Sequence, residues 1–144
     1  MNIRSQPRNF LTALLLLACC KLAFADIAVV VHPNNSTDSI TAIQAANVFL
    51  GKTKTMPDGT LIIPIDQSRK SPVRNDFYLK LVNKNPNQLN AYWARQVFTG
   101  KSQPPIQVNN DDEVKLLIGE NPNMIGYINA DAIDSNVKVI LRIP

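Results

Sequence analysis

Apolar residues in this chain come in blocks of two periods. Ile27-Ala28-Val29-Val30-Val31, inside Asp26 to His32, is an unbroken apolar run of the kind found in a strand buried on both faces. A second run spans Thr60 to Ile65 behind the turn former Asp58-Gly59, and Met124 to Ile128 and Val137 to Ile143 supply two more strands. Between these runs the period becomes helical. Ala42, Ala45, Ala46, Phe49 and Leu50 share a face behind a Thr41 and Gln44 capping box, and Gly51 ends that helix. Val73, Phe77 and Leu81, flanked by Tyr78 and Val82, follow Ser71-Pro72, a strong helix start. Leu89, Tyr92, Trp93 and Val97 follow Asn85-Pro86 and stop near Gly100. Val114, Leu117 and Ile118 follow Asp111-Asp112-Glu113, whose acids suit a helix N-terminus.

Strands mixed with helices predict an α/β or α+β chain with helices covering a sheet. The second and third helices are joined too tightly to cross that sheet, so they form a hairpin on one side of it. Phe49, Phe77, Trp93 and Tyr127 each lie on the apolar face of their element and are expected in one core. Lys101 to Asn110, fixed in part by Pro104-Pro105, reads as a loop.

With 144 residues there is room for one domain. The first 25 residues read as a signal peptide. Arg4 and Arg8 precede an apolar run from Phe10 to Cys20, and Ala23-Phe24-Ala25 provides the small residues of a cleavage site before Asp26. That run is too short to span a bilayer as a mature anchor, so residues 26–144 are expected as a single periplasmic or secreted domain without a transmembrane segment. Leu16-Leu17-Ala18-Cys19 offers the alternative of a lipoprotein anchored through Cys19. Cleavage at Ala25 removes both cysteines, Cys19 and Cys20, and lowers the formal net charge from +4 to +1, with twelve basic against eleven acidic side chains. A mature chain so nearly neutral gives no support for nucleic-acid binding.

Ile62 to Leu81 carries the candidate chemistry, because a strand, a polar loop and a helix start in succession build anion sites from backbone N–H groups. Arg69, Lys70 and Arg74 lie just before and inside the first turn of that helix, where the dipole disfavours cations by roughly 0.3–1 kcal/mol each. A bound anion would remove the conflict. The expected site is Ser68, Arg69, Ser71 and Arg74, with Asn35, Ser36 and Thr37 after the first strand as candidate additional donors. Other readings fall away. His32, the single histidine, has no cysteine partner for a zinc site. Phe98-Thr99-Gly100-Lys101-Ser102 has the tail of a P-loop but Arg95 where the first glycine belongs. No nucleophile, base and orienting group recur at a recognisable spacing, so neither an enzyme nor a cofactor is expected.

Several segments together resemble the phosphate-binding solute-binding proteins of bacterial ABC transporters, above all short exported relatives with only part of the two-lobed fold. They are Val30-Val31-His32-Pro33-Asn34-Asn35 with the helix ending Val48-Phe49-Leu50-Gly51-Lys52, then Ile65 to Leu79, then Met124-Ile125-Gly126-Tyr127-Ile128. The resemblance implies one lobe of a type II periplasmic-binding-protein-like fold, with about four to five strands covered by about four helices. It also implies a small oxyanion, phosphate or similar, held at the Ser71 helix. Where the family has an arginine pair and Asp-Gly-Ser-Gly-Thr, this chain reads Asp66-Gln67-Ser68-Arg69-Lys70-Ser71-Pro72-Val73, so that only Ser71 carries over. Asp66 and Gln67 stand where the family has arginines, and Arg69 or Arg74 would have to supply the charge. The alternative is an accessory lobe without a ligand, docking a protein partner or a second copy through the face left by the missing lobe.

Intact mass of the exported protein tests the leader. A chain beginning at Asp26 is expected, and a diacylglyceryl adduct on Cys19 would contradict it.

Overall fold

The computed structural model describes residues 25–144; the apolar leader and Cys19 lie outside them. The elements, in chain order, are β1 (Ile27–Val31), α1 (Ala42–Phe49), β2 (Ile63–Gln67), α2 (Pro72–Val82), α3 (Pro86–Phe98), β3 (Ile106–Val108), α4 (Asp111–Glu120), β4 (Met124–Asn129) and β5 (Lys138–Ile143), with a 3₁₀ turn at Ala130–Ala132. This is an α/β fold. The five strands form one mixed sheet in the order β3-β2-β4-β1-β5. β2 runs parallel to β3 and β4, while β1 lies antiparallel to β4 and β5.

Local chemistry explains the helix starts. Thr41 and Asn85 close capping boxes with Gln44 and Gln88, and the Asn110 side chain accepts from the Glu113 N–H behind three acids. Gly51, at φ +70°, and Asn83, at φ 53°, take the left-handed conformation that ends α1 and α2. All five residues of β1 are at most 1% exposed, because both faces of the sheet are covered. One face carries α1, α2 and α3 on Val29, Val31, Ile125 and Tyr127; the other carries α4 on Ala28, Val30, Ile65 and Ile128. The hairpin of α2 and α3 therefore does lie on one side. In its core the Phe77 ring stacks on Tyr127 at 3.8 Å and 7°, with Phe49 edge-on to Phe77 at 4.9 Å, and Trp93 joins the same cluster.

Two expectations need correction. Residues 101–110 are not all loop, since Ile106–Val108 form a short edge strand parallel to β2. Three residues on an edge give no readable period. The second strand is also displaced: β2 runs on past the apolar run to include Asp66 and Gln67.

Gly126 on β4 faces α4, where an added Cβ would sit 2.6 Å from Val114 Cγ1. Gly126→Ala is therefore expected to cost about 1–3 kcal/mol, and Val114→Ala in the same chain should recover part of that loss. Urea unfolding midpoints of the single and double variants check this; an unshifted midpoint for Gly126→Ala would mean that α4 does not pack so closely.

Candidate functional site at the start of the second helix

The extension of β2 takes a carboxylate into the core. Asp66 is 1% exposed, and burying an ionised carboxylate costs several kcal/mol unless donors surround it. Three elements supply those donors. The Tyr127 hydroxyl on β4 and the Gln67 N–H, at 2.8 Å, donate to Oδ1, and Arg74 Nε on α2 donates to Oδ2 at 3.1 Å. The Gln67 N–H also reaches the Tyr127 oxygen at 3.1 Å. Burial nevertheless raises the Asp66 carboxyl above its ordinary value; the Arg74 charge is the larger of the opposing effects, and the Tyr127 hydrogen bond also lowers it. Burial, reinforced by the Asp66 charge, pushes the hydroxyls of Tyr127 and Tyr78 well above the usual tyrosine value.

This pair revises the electrostatic argument made from the sequence. Arg74 is the third residue of α2, and helical side chains lean toward the N-terminus, so its guanidinium lies back against the end of β2. The cation in the first turn is balanced by Asp66, an internal carboxylate, and needs no external anion to be tolerated. Arg74 uses only Nε for this purpose. Among the described residues its two terminal nitrogens take no acceptor, and the only sealed, unpartnered side-chain polar atoms there are Tyr78 Oη and Trp93 Nε1. The outer edge of the guanidinium therefore meets solvent, although Arg74 as a whole is 2% exposed.

A second network fixes the helix start from the α4 side. The Ser71 hydroxyl donates to Gln67 Oε1 at 2.7 Å and accepts from the Arg74 N–H at 3.4 Å. The Gln67 amide donates to Asp111 Oδ1 at 2.6 Å and to the Tyr127 carbonyl at 3.1 Å, and Asp111 Oδ2 accepts the Asn129 N–H at 3.2 Å. Ser71, as expected, caps α2, and its hydroxyl hydrogen is committed to Gln67. What the loop still offers is the N–H groups of Arg69, Lys70 and Val73, which take no acceptor among the described residues, and the exposed side chains of Arg69 and Lys70. Gln67, Ser68, Lys70 and Ser71 line an open cleft of about 290 Å³ whose far wall is Asn109 to Asp111, where α4 begins.

Ser71 links Ser68 and Arg74, donating its N–H to the Ser68 carbonyl at 2.9 Å and accepting the Arg74 N–H, while the Arg69 side chain is exposed on the same loop and neither arginine lines the cleft; Asn35, Ser36 and Thr37 lie elsewhere. β1 is antiparallel to β4, so its carboxyl end lies beside the beginning of β4, with Val31 opposite Ile125, whereas Gln67 meets Tyr127 near the end of β4. The Asn35 amide accordingly donates to the Pro122 carbonyl at 3.3 Å, and Ser36 bonds Asp58 at 2.8 Å. Those three residues cannot add donors at the α2 start. Asp66, Gln67, Asp111 and Tyr127 were not expected at the site. A carboxylate closing an apolar run was the one available signal for Asp66; its partner on β4 is set by pairing of distant strands, which leaves no local trace.

The sequence matches no protein-family model and no curated protein. Solved structures do share its fold. A protein assigned as a phosphate ABC transporter substrate-binding protein from Clostridium perfringens, with bound phosphate, is 23% identical with a TM-score of 0.62, over 81% of this chain and 45% of that one. An ABC-type phosphate transport receptor from Vibrio cholerae is 19% identical with a TM-score of 0.63, over 81% and 46%. PstS from Borrelia burgdorferi is 19% identical with a TM-score of 0.55, over 81% and 47%. The chain thus has the fold of one lobe of such proteins and spans less than half their length.

The buried pair sets an expectation for stability. Arg74→Glu would put a second carboxylate against Asp66 and is expected to cost on the order of 3–5 kcal/mol, the scale for leaving a buried charge unmatched. Asp66→Leu with Arg74→Met should recover most of it, because apolar groups of similar volume often replace a buried pair without loss. The sign of the pH effect follows from the raised Asp66 value. Its contribution is fully present below the unfolded pKa and is lost as pH rises through the folded one, so wild type should gain on Asp66→Asn as pH falls. Unfolding midpoints across the acid range check both. A neutral Arg74→Glu would show that Arg74 is not held by Asp66.

Proposed function

We propose that this chain is an exported binding module that holds a small oxyanion, phosphate or a close relative, where α2 begins. The observation that carries the reading is Arg74: a guanidinium 2% exposed, braced through Nε by Asp66, whose terminal nitrogens keep a little contact with solvent and take no acceptor among the described residues. An arginine edge recognises an oxyanion through parallel N–H bonds, and the unclaimed N–H groups of Arg69, Lys70 and Val73 at a helix N-terminus add donors of the same preference. Ser68 and the Arg69 side chain stand on the same loop, and Ser71 acts by fixing the helix start. The fold, shared with a protein solved with bound phosphate, supports a ligand of this class.

Binding suits the site better than catalysis. The Ser71 hydroxyl donates to an amide oxygen rather than to a base, so nothing activates it as a nucleophile. Export rests on the leader read from the sequence; among the described residues no helix is long and apolar enough to cross a membrane. A docking role has one observation of its own, since Ile106 on β3 and Ile63 on the adjoining β2 are exposed at 54% and 44%.

Isothermal titration of the protein with phosphate tests the reading. The expected result is saturable binding of order 1 mM, about −4 kcal/mol, because an open half-shell encloses little of the ligand. Arg69→Ala should weaken it severalfold. A null titration together with a mass that rises with concentration would favour docking through the β3 edge instead.

A further inference from the structure

We propose that Asp66 gates the anion site, so that an oxyanion binds at Arg74 together with a proton taken up by the Asp66 carboxyl. This rests on the binding reading above and concerns its regulation. The geometry makes Asp66 a resident competitor: its Oδ2 holds Arg74 Nε at 3.1 Å, and the guanidinium has one positive charge to share between that carboxylate and an anion on its outer edge. Both anions would then lie within one guanidinium's width of each other, beside side chains that are themselves almost wholly buried, and like charges so close disfavour one another. Protonation removes the conflict. It cancels the Asp66 charge and leaves Arg74 as a buried cation with the Tyr78 ring, 5.3 Å from its guanidinium carbon, beside it and the ligand as its charged partner.

The surroundings of Asp66 fit this role. Arg74 and Tyr78 face it from α2 and Tyr127 from β4; Phe49 of α1 packs against Tyr127 without a charge; its register partner on β3 is Gln107; and the acid at the start of α4, Asp111, is engaged by Gln67 and Asn129. Arg74 is thus the one cation holding the Asp66 charge, and anything that draws on Arg74 leaves that carboxylate less compensated. Burial already raises the Asp66 carboxyl above its usual value, the direction that favours taking up the proton. An anion at Arg74 raises it further, and by linkage the proton must tighten the anion to the same degree. The pair therefore loads as a unit of anion plus proton.

The probe is sulfate, whose charge stays constant over the range, titrated calorimetrically into the full domain from about pH 8 to about pH 5. Affinity is expected to rise as pH falls, by up to about tenfold per pH unit for one coupled proton. Asp66→Asn should bind sulfate more tightly than wild type near neutrality and with no dependence on pH. Titration of wild type in buffers of different ionisation enthalpy should show proton uptake, which decides the matter even where Asp66→Asn does not fold. Wild-type affinity that is flat with pH, absence of proton uptake, or an Asp66→Asn variant that keeps the wild-type slope would overturn the gate while leaving the binding reading intact. No binding by either protein at any pH would overturn both.

Discussion

A carboxylate at the end of a buried strand has to be matched, and the way Asp66 is matched decides much of this structure. Its oxygens are satisfied by Arg74 from α2, by the Tyr127 hydroxyl from β4 and by the Gln67 N–H of its own strand. These contacts pin the beginning of α2 to the centre of the sheet. The same turn carries Ser71, which is tied through Gln67 to Asp111 at the start of α4, on the other face. Two helix starts and two strand ends are thereby fixed relative to one another by polar groups, just above an aromatic cluster in which Phe77 stacks on Tyr127. Apolar packing supplies the bulk of the stabilisation; the polar network fixes which way the loop from Ser68 to Ser71 faces.

That division explains what could be read from the chain. β1 was legible because five consecutive residues must be apolar when both faces are covered, and the helices were legible because their starts are local chemistry: Thr41 with Gln44, Ser71 with Pro72, Asn85 with Pro86. β3 was not, since three residues at an edge, two of them exposed, carry no pattern. The candidate site was legible in its elements and illegible in its contacts. Strand, polar loop and helix start marked the position, and Ser71 caps as its neighbours indicate. The partner of Arg74, however, is eight residues away in sequence and across a turn, and Tyr127 is sixty-one residues from Asp66. The misplacement of Asn35, Ser36 and Thr37 has a single cause: strand direction cannot be read from one sequence, and β1 runs antiparallel to its neighbours.

Comparison with the solved structures sharpens the same point. The fold is that of one lobe of proteins described as phosphate-binding, and in this chain the end of β2 carries Asp66 and Gln67 while a guanidinium reaches the same corner from α2 as Arg74. The acidic strand end is balanced by that guanidinium. On our account the corner remains an oxyanion site whose positive charge is shared with an internal carboxylate, which makes its occupancy answerable to pH.

Residue-resolved NMR of the ¹⁵N-labelled domain during a sulfate titration at mildly acidic pH tests this account most directly. The backbone N–H signals of Arg69, Lys70 and Val73 and the side-chain signal of Arg74 Nε should move together and saturate, while those of Asn35, Ser36 and Thr37 at the opposite edge of the sheet stay in place. Shifts centred on any other part of the fold, or a loop and an Arg74 Nε signal that do not respond, would contradict it.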